Sequence, residues 1–411
     1  MMTPPRPNPD KKSIAGVECV KRIGFTLIIA LLCACAAPPP RLPPFYTPPN
    51  PLPAGQPGQI IRAESVDGPA LKGVKLWRIL YHSTAPSGED IAVSGLIAQP
   101  AGPVPQDGFP VVVMAHGTSG IAQSCAPSIH VLTGTIIQPS FYVREIKPFL
   151  DAGFAVVMTD YQGMGAPGPY AYLIGASEGR TVLDSRRAIR DFAEVSVSTK
   201  TFIWGVSQGG HAAAFAGELA ATYAPEWEIT GIALEAPAAE LIDLVNSMFA
   251  TDQRSATTGL AMMIVGAWSR TYPNDALDNV LTAKGKRDLS AAYNKCLFAE
   301  TIDYLIEPPD AYFKTNPATV PAWTAHLIAN TPGQSPIHAP IFVAQGSADP
   351  IVLPATTTAF VQKMCSLGNV VQLKMYPGVQ HLNISTPAQP DVLAWMAARL
   401  RAEPPPSTCN P

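Results

Sequence analysis

Charged residues are scarce in this chain of 411 residues, since only 14% are Asp, Glu, Lys or Arg and the formal net charge is −3. No basic or acidic block occurs, so nothing indicates a partner that is a nucleic acid. Cys-x-x-Cys pairs and cysteine–histidine clusters are also absent, and we expect no metal site. There is no internal repeat. What remains is a chain that is 47% hydrophobic, enough for one large domain with an insertion or for two domains.

A short apolar run near the start of the chain predicts export. Residues 23–32 follow two pairs of basic residues and lead into small residues, which is the pattern of a signal peptide over residues 1–36 and not of a membrane anchor. The closing letters Leu-Cys-Ala-Cys resemble a bacterial lipobox with Cys35 as the lipidated residue. The same letters offer Ala34-x-Ala36 to an ordinary signal peptidase. The protein is therefore expected either as a cell-envelope lipoprotein, in the periplasm or outer membrane, or as a secreted protein.

Seven cysteines are present, and four of them lie beyond the predicted signal. An even number of cysteines in an exported protein predicts two disulfides, and four cysteines allow three pairings. The candidates are Cys125, Cys296, Cys365 and Cys409.

Proline is abundant, with 44 residues, and many of them lie near the two ends. Residues 37–58 are so rich in proline that they predict an extended, exposed tether. The folded part is expected to begin at residue 59, and residues 405–411 are expected to form a C-terminal tail.

The folded part shows the pattern of a doubly wound α/β sheet. Two strand-like segments, 74–83 and 91–99, flank a turn signal and predict an antiparallel hairpin. Short continuous apolar runs then alternate with helical segments, as in a mostly parallel sheet covered by helices. These runs are residues 110–115, 155–159, 201–204, 231–234, 340–344 and 370–376. The predicted core is 59–237 with 336–404, and residues 238–335, which lack a clear strand, predict a helical insertion.

A serine between glycines, Gly205-Val-Ser207-Gln-Gly209, stands between a predicted strand and a predicted helix. This is the context of a nucleophile elbow, in which a strained turn lifts the serine above the sheet at a helix N-terminus. Ser207 is therefore the candidate nucleophile.

A serine nucleophile needs a base, and in this fold the triad follows the order serine, acid, histidine. Of seven histidines, only His381 follows the last predicted strand, whereas His211 on the elbow helix is expected either to pack or to support the site through another residue. Asp349 follows the preceding strand and is the preferred acid. Glu235, at the end of an earlier strand, is the alternative.

Acyl transfer also needs donors for the oxyanion. One is the backbone N–H after the nucleophile, at Gln208. The other is expected in His116-Gly-Thr-Ser-Gly120, which follows a predicted strand, with Thr118 as the first choice and Ser119 as the second.

These motifs resemble the α/β-hydrolase superfamily, and within it the secretory lipase family, the lipase-A-type enzymes. The resemblance spans residues 75–385 and rests on the motifs at 81–84, 116–120, 125–128, 160–168, 204–211, 346–350 and 378–381. It implies the α/β-hydrolase fold, a triad of Ser207, Asp349 and His381, and a helical cap at 238–335 that roofs the site. It also implies the disulfides Cys125–Cys296 and Cys365–Cys409. The proline-rich tether and the possible lipid anchor depart from the family pattern.

The expected activity is hydrolysis of carboxylic esters through an acyl-enzyme, with no metal and no organic cofactor. The apolar residues Leu260, Met262, Met263, Ile264, Val265 and Trp268 favour an acyl or lipid ester as the small-molecule substrate, although the same residues could form the core of the cap. The alternatives are an acyltransferase or a peptidase of the same fold, and a non-catalytic binding protein of the cell envelope. Membrane attachment through an N-terminal lipid is an open possibility, and no oligomeric state is predicted.

Overall fold

The computed structural model describes residues 42–68, 71, 73–133, 138–250 and 255–409. The predicted signal peptide, the lipidation candidate Cys35 and the first residues of the predicted tether lie outside the described residues. Within those ranges, no helix combines the length and the hydrophobicity that crossing a membrane requires.

One nine-stranded sheet runs through the described chain in the order β1-β2-β3-β5-β4-β6-β7-β8-β9. β1, β2 and β3 pair antiparallel and β3 pairs antiparallel with β5, whereas the remaining pairs are parallel. This confirms the predicted mostly parallel α/β sheet and its hairpin. The strands are β1 Ile60–Val66, β2 Lys75–Thr84, β3 Asp90–Gln99, β4 Phe109–Ala115, β5 Ala155–Thr159, β6 Val197–Val206, β7 Ile229–Glu235, β8 Ile341–Gly346 and β9 Val371–Tyr376.

Helices cover both faces of the sheet. α3, α4 and α11 pack into the core on one face, and α2 and α12 pack into the core on the other. The central strands are therefore buried on both sides, which explains their unbroken apolar runs. The helices are α1 Pro127–Thr133, α2 Gln138–Asp151, α3 Gly175–Arg190, α4 Gln208–Tyr223, α5 Leu241–Met248, α6 Thr257–Thr271, α7 Ala283–Ala292, α8 Leu297–Tyr304, α9 Pro309–Tyr312, α10 Pro321–Ala329, α11 Pro354–Ser366 and α12 Ser385–Leu400.

The described residues between β7 and β8 contain helices α5 to α10 and no strand of the sheet. This is the interval in which the sequence predicts a helical insertion. The domain boundaries themselves, 59–237 with 336–404 for the core and 238–335 for the insertion, stay a prediction.

Two disulfides join distant parts of the chain. Cys125, in the loop that follows β4, is bonded to Cys296, which stands immediately before α8 in the insertion. Cys365, near the end of α11, is bonded to Cys409 in the tail. These are the two pairings that the family resemblance implies, and the second one holds the tail beside β9, where the Thr408 N–H donates to the Val371 carbonyl at 2.7 Å.

The proline-rich segment is not exposed throughout, which corrects the expectation of a free tether over 37–58. Phe45 and Tyr46 are only 5% and 1% exposed. The Tyr46 hydroxyl lies 2.9 Å from the Ser128 Oγ, and the Arg78 guanidinium lies 4.5 Å from the centre of the Phe45 ring. Proline content predicted an extended segment, but two aromatic side chains within it gain enough from burial to dock on the folded core.

β1 was also not predicted. Its residues Ile-Ile-Arg-Ala-Glu-Ser-Val are half-buried or exposed, since the strand lies at the edge of the sheet. An edge strand lacks the continuous apolar run that identifies the central strands.

Candidate active site

Ser207 stands between β6 and α4 with φ 58° and ψ −117°, a strained conformation for a residue other than glycine. The flanking glycines allow this turn to form. A Cβ on Gly205 would lie 2.1 Å from the Gly209 carbonyl oxygen, and a Cβ on Gly209 would lie 1.9 Å from the Ala115 carbonyl oxygen. Both distances are impossible for real side chains, so the spacing of glycines around the serine follows from close backbone packing.

His381 follows β9 and contacts both of its predicted partners. Its Nε2 lies 2.9 Å from the Ser207 Oγ, and its Nδ1 lies 2.7 Å from the Asp349 Oδ2. The three residues come from three separate turns at the carboxyl ends of parallel strands. This is the geometry that lets an imidazole accept a proton from a serine while a carboxylate fixes its tautomer.

The Asp349 carboxylate is held from the side opposite the histidine. Its Oδ1 accepts the backbone N–H groups of Ile351 and Val352, each at 2.9 Å. Its Oδ2 also accepts from the Gln345 amide at 3.2 Å. Because Asp349 is almost fully buried, these bonds fix which oxygen faces His381.

Glu235, the alternative acid, has a different partner. Its Oε1 accepts from the Trp204 indole N–H at 2.9 Å, and the side chain is fully buried. Burial raises the pKa of Glu235 to about 7, and hydrogen bonds from Ser385 and Trp204 oppose this rise. The carboxylate on His381 is that of Asp349.

The two predicted oxyanion donors, Thr118 and Gln208, line one cavity together with Ser207 and His381. The Thr118 Oγ1 lies 2.9 Å from the Tyr172 hydroxyl. Ser119, the second choice, is buried and contacts the Met164 sulfur instead. Thr118 therefore fits the loop position better than Ser119.

The cavity has a volume of about 190 Å³ and is largely apolar. Its walls come from the core and from the insertion, where Leu244, Met248, Leu260 and Phe298 line it. Of the six apolar residues at 260–268 that the sequence associates with the substrate, only Leu260 reaches the cavity. The other five are buried in the core of the molecule, because consecutive helical positions cannot all face one side.

Comparison with known proteins fits this geometry. The family model described as secretory lipase matches residues 131–408. The chain belongs to the secretory lipase family. Among similar proteins, the "Lipase A" of Arthroderma benhamiae is 26% identical over 88% of this chain and 80% of its own length. A "Probable inactive lipase" of Mycobacterium tuberculosis is 25% identical over 89% of this chain and 84% of its own length.

Solved structures show the same fold. Candida antarctica lipase A superposes with a TM-score of 0.77 at 23% identity, covering 89% of this chain and 87% of that chain. The rice cell wall degrading esterase LipA from Xanthomonas oryzae superposes with a TM-score of 0.66 at 18% identity, covering 85% of this chain and 98% of that chain. The fold of this secretory lipase family member is therefore that of the α/β hydrolases.

A buried carboxylate that the sequence did not single out lies beside the elbow of this family member. Glu178 on α3 accepts the Gln208 side-chain amide at 2.6 Å through Oε1, and its Oε2 lies 2.7 Å from the His211 Nδ1. The His211 Nε2 lies 2.7 Å from the Asn330 carbonyl oxygen, which can only accept, so this nitrogen carries hydrogen. His211 is therefore buried, as packing requires, and it also supports the elbow through Glu178, which is the other role expected of it. It links the elbow helix to the end of the insertion. No signal in the sequence identifies Glu178, because its partners are distant in the chain.

A second buried carboxylate, Glu300, lies on α8, the helix whose residues Leu297, Phe298 and Thr301 line the cavity. Neither of its oxygens has a hydrogen-bond partner among the described residues. Burial, together with the nearby Asp303, raises the pKa of Glu300 to about 9. The protonated form is therefore the one that suits this position.

We expect the free energy of unfolding to fall as the pH rises from about 4.5 towards 9. Over this window the folded state keeps the Glu300 proton while the unfolded state has released it. Folding therefore takes up a proton, and this becomes less favourable as the proton concentration falls. Glu300→Gln should unfold at a higher temperature than the wild type at pH 9 and at nearly the same temperature at pH 5. Thermal unfolding at both values measures this.

The exposed Glu89→Gln is the matched control, since it removes a carboxylate without altering a buried site. An equal gain from both variants at pH 9 would assign the effect to net charge and contradict the role of Glu300.

No group of three or more His, Cys, Asp or Glu side chains suited to a metal ion occurs within the described ranges.

Proposed function

We propose that this protein hydrolyses carboxylic esters of acyl chains through a Ser207–His381–Asp349 mechanism. The observation that carries the proposal is the unbroken line of contacts from the Ser207 Oγ through the His381 imidazole to the Asp349 carboxylate. Membership of the secretory lipase family supports the same reaction class.

In the first step, His381 Nε2 accepts the Ser207 proton while the Oγ attacks the ester carbonyl carbon. The carbonyl oxygen gains negative charge, which the Gln208 N–H and a donor at Thr118 stabilise. His381 then gives its proton to the leaving alcohol, and the acyl group remains on Ser207. In the second step, His381 takes a proton from water while the water oxygen attacks the acyl carbon. His381 then returns this proton to the Ser207 Oγ as the bond between the serine and the acyl group breaks, which releases the carboxylic acid and regenerates the enzyme.

The substrate class follows from the shape and polarity of the cavity. Its lining is mostly apolar and includes the exposed side chains of Phe298 and Leu382. An acyl chain would bury its surface there at a gain of about 25 cal/mol per Å², whereas a sugar or a charged group would lose hydrogen bonds to water. Lipid esters are therefore the favoured substrates.

Hydrolysis of p-nitrophenyl esters from acetate to palmitate by the purified protein tests this function. We expect kcat/KM to rise with chain length beyond butyrate, because each further methylene that enters the cavity is desolvated. A profile in which only acetate and butyrate react would replace the lipid-ester substrate with a short-chain ester. No turnover of any ester by correctly folded protein would refute the proposal as a whole.

A non-catalytic role has one specific observation in its favour, the Mycobacterium tuberculosis relative whose name describes it as probably inactive. In the present chain the serine, histidine and carboxylate are all present and in contact, which favours catalysis. A fluorophosphonate distinguishes the two functions, since only an activated serine reacts with it rapidly.

The protein is exported, in keeping with its membership of the secretory lipase family. We further propose that Cys35 carries a lipid, on the strength of the lipobox-like letters around it. The mass of the processed N-terminus distinguishes a lipidated cysteine from cleavage at the Ala34-x-Ala36 site.

A further inference from the structure

The side chains of the two residues that carry the candidate oxyanion donors, Gln208 and Thr118, both contact one short segment, Tyr170-Ala-Tyr-Leu173. The Gln208 side-chain amide donates to the Tyr170 hydroxyl at 2.6 Å, and the Thr118 Oγ1 lies 2.9 Å from the Tyr172 hydroxyl. The two tyrosines are only 2% and 4% exposed, and their ring centres are 6.1 Å apart. Gln208 and Thr118 are 90 positions apart in the chain, but both are held by the same segment, 170–173, which we call the tyrosine segment.

The segment is itself fixed at its end. Leu173 has a φ of 54°, and its N–H donates to the Glu178 Oε1 at 2.9 Å, the same oxygen that accepts from Gln208. The Tyr172 carbonyl accepts from the Trp268 indole N–H on α6 at 2.8 Å. The tyrosine segment is therefore held in place by the Glu178 carboxylate of the core and by the Trp268 indole of the insertion.

A rigid tyrosine segment matters because stabilisation of the oxyanion depends steeply on the distance and direction of its donors. Donors act when they lie about 2.7–3.1 Å from the position that the oxyanion will occupy, and they are most effective when they are already fixed before the reaction. The hydroxyl of Tyr172 adds a chemical effect. When it donates to the Thr118 Oγ1, the hydrogen of Thr118 stays available for the substrate oxygen.

We propose that Tyr170 and Tyr172 are positioning residues that set the separation and direction of the two oxyanion donors, with Glu178 holding the segment that carries them. The proposal rests on the proposed ester hydrolysis at Ser207. It assigns to the buried Glu178 carboxylate a part in catalysis that is exerted through Leu173 and Gln208, and not through contact with the substrate.

The test compares Tyr172→Phe with Tyr81→Phe. Tyr81 is also buried, and its hydroxyl lies 2.7 Å from the Thr159 Oγ1 and 3.1 Å from the Thr181 carbonyl oxygen, but Tyr81 does not line the cavity. Each change removes one buried hydroxyl and should lower the unfolding temperature by a similar amount. We expect kcat for a p-nitrophenyl ester to fall roughly tenfold to a hundredfold in Tyr172→Phe, with KM within about twofold, and to stay unchanged in Tyr81→Phe.

A double-mutant cycle with Thr118→Val separates positioning from other roles. If Tyr172 acts through Thr118, the double variant has the same kcat as Thr118→Val alone. Three results would each overturn the proposal. The first is a double variant whose loss of kcat equals the product of the two single losses. The others are a Tyr172→Phe variant with a raised KM and unchanged kcat, and an equal loss of kcat in Tyr81→Phe. An inactive wild type would refute the proposed function instead, so the two failures are distinguishable.

Discussion

Replacing Ser207 with alanine is expected to lower kcat for ester hydrolysis by about a millionfold, close to the loss seen when a serine hydrolase loses its nucleophile. The alanine removes the Oγ that lies 2.9 Å from the His381 Nε2, the first atom in the line of contacts to Asp349. The oxyanion donors and the apolar cavity remain, so a small residual rate and nearly unchanged substrate binding should persist. Initial rates on a p-nitrophenyl ester at high enzyme concentration, with KM or product inhibition, measure both.

Ser185→Ala is the matched control. Ser185 is fully buried, whereas Ser207 is partly buried, and the Ser185 hydroxyl donates to the Val182 carbonyl within its own helix. It should retain wild-type kcat and label with a fluorophosphonate, whereas Ser207→Ala should not label. Retention of more than about one per cent of activity in Ser207→Ala would mean that another residue is the nucleophile.

Replacing Asp349 with asparagine is expected to lower kcat by about ten-thousandfold. The two backbone N–H groups of Ile351 and Val352 will hold the amide oxygen of the asparagine in the place of Oδ1. The amide nitrogen must then face His381 Nδ1, which has to accept, so the ring hydrogen moves to Nε2. A histidine in that tautomer cannot take the proton from Ser207.

Glu235→Gln is the companion variant. It keeps the acceptor for the Trp204 indole and removes a buried carboxyl group that does not contact His381, so kcat should stay within about threefold of the wild type. The opposite ranking, with Glu235→Gln inactive and Asp349→Asn active, would make Glu235 the acid. Steady-state kinetics of both variants decides between them, provided that circular dichroism shows both to be folded.

The sequence predicted the positions of the elbow, of His381 and of the loop at 116–120 because each follows a parallel strand with an apolar run. The carboxyl ends of such strands meet at one edge of the sheet, so Ser207 after β6, Asp349 after β8 and His381 after β9 had to lie near one another. The local sequence was sufficient to predict where these turns lie, since the order of the strands places them at one edge of the sheet whatever the packing of the side chains.

The acid was harder to assign for a physical reason. β7 and β8 are parallel neighbours, with Glu235 paired to Ala344, so both strands deliver a carboxylate to the same edge. What separates the two residues is a bond to a tryptophan indole on one side and to an imidazole on the other. Those contacts depend on the direction of side chains in space, which sequence spacing does not contain.

The sequence could not predict Tyr170, Tyr172 and Glu178 beside the site for the same reason. They lie in a loop and a helix whose letters match no motif, and the oxyanion-loop and elbow residues that they contact, Thr118 and Gln208, are 30 to 54 positions away along the chain. The prediction of the residues that line the cavity was partly wrong, because helical spacing identifies an apolar face but not the neighbour against which that face packs.

Burial of Phe45 and Tyr46 fixes the chain to the folded domain at a point ten residues after Cys35. A tether that ran to residue 58 would let the enzyme reach far into the surrounding medium, but Phe45 is docked on the folded core, and the nine residues from 36 to 44 can span at most roughly 30 Å even if fully extended. That distance is similar to the thickness of the hydrocarbon layer of a bilayer. A lipid on Cys35 would therefore confine the enzyme to the surface of its own membrane, where it would find ester substrates by lateral diffusion rather than by a search through bulk water.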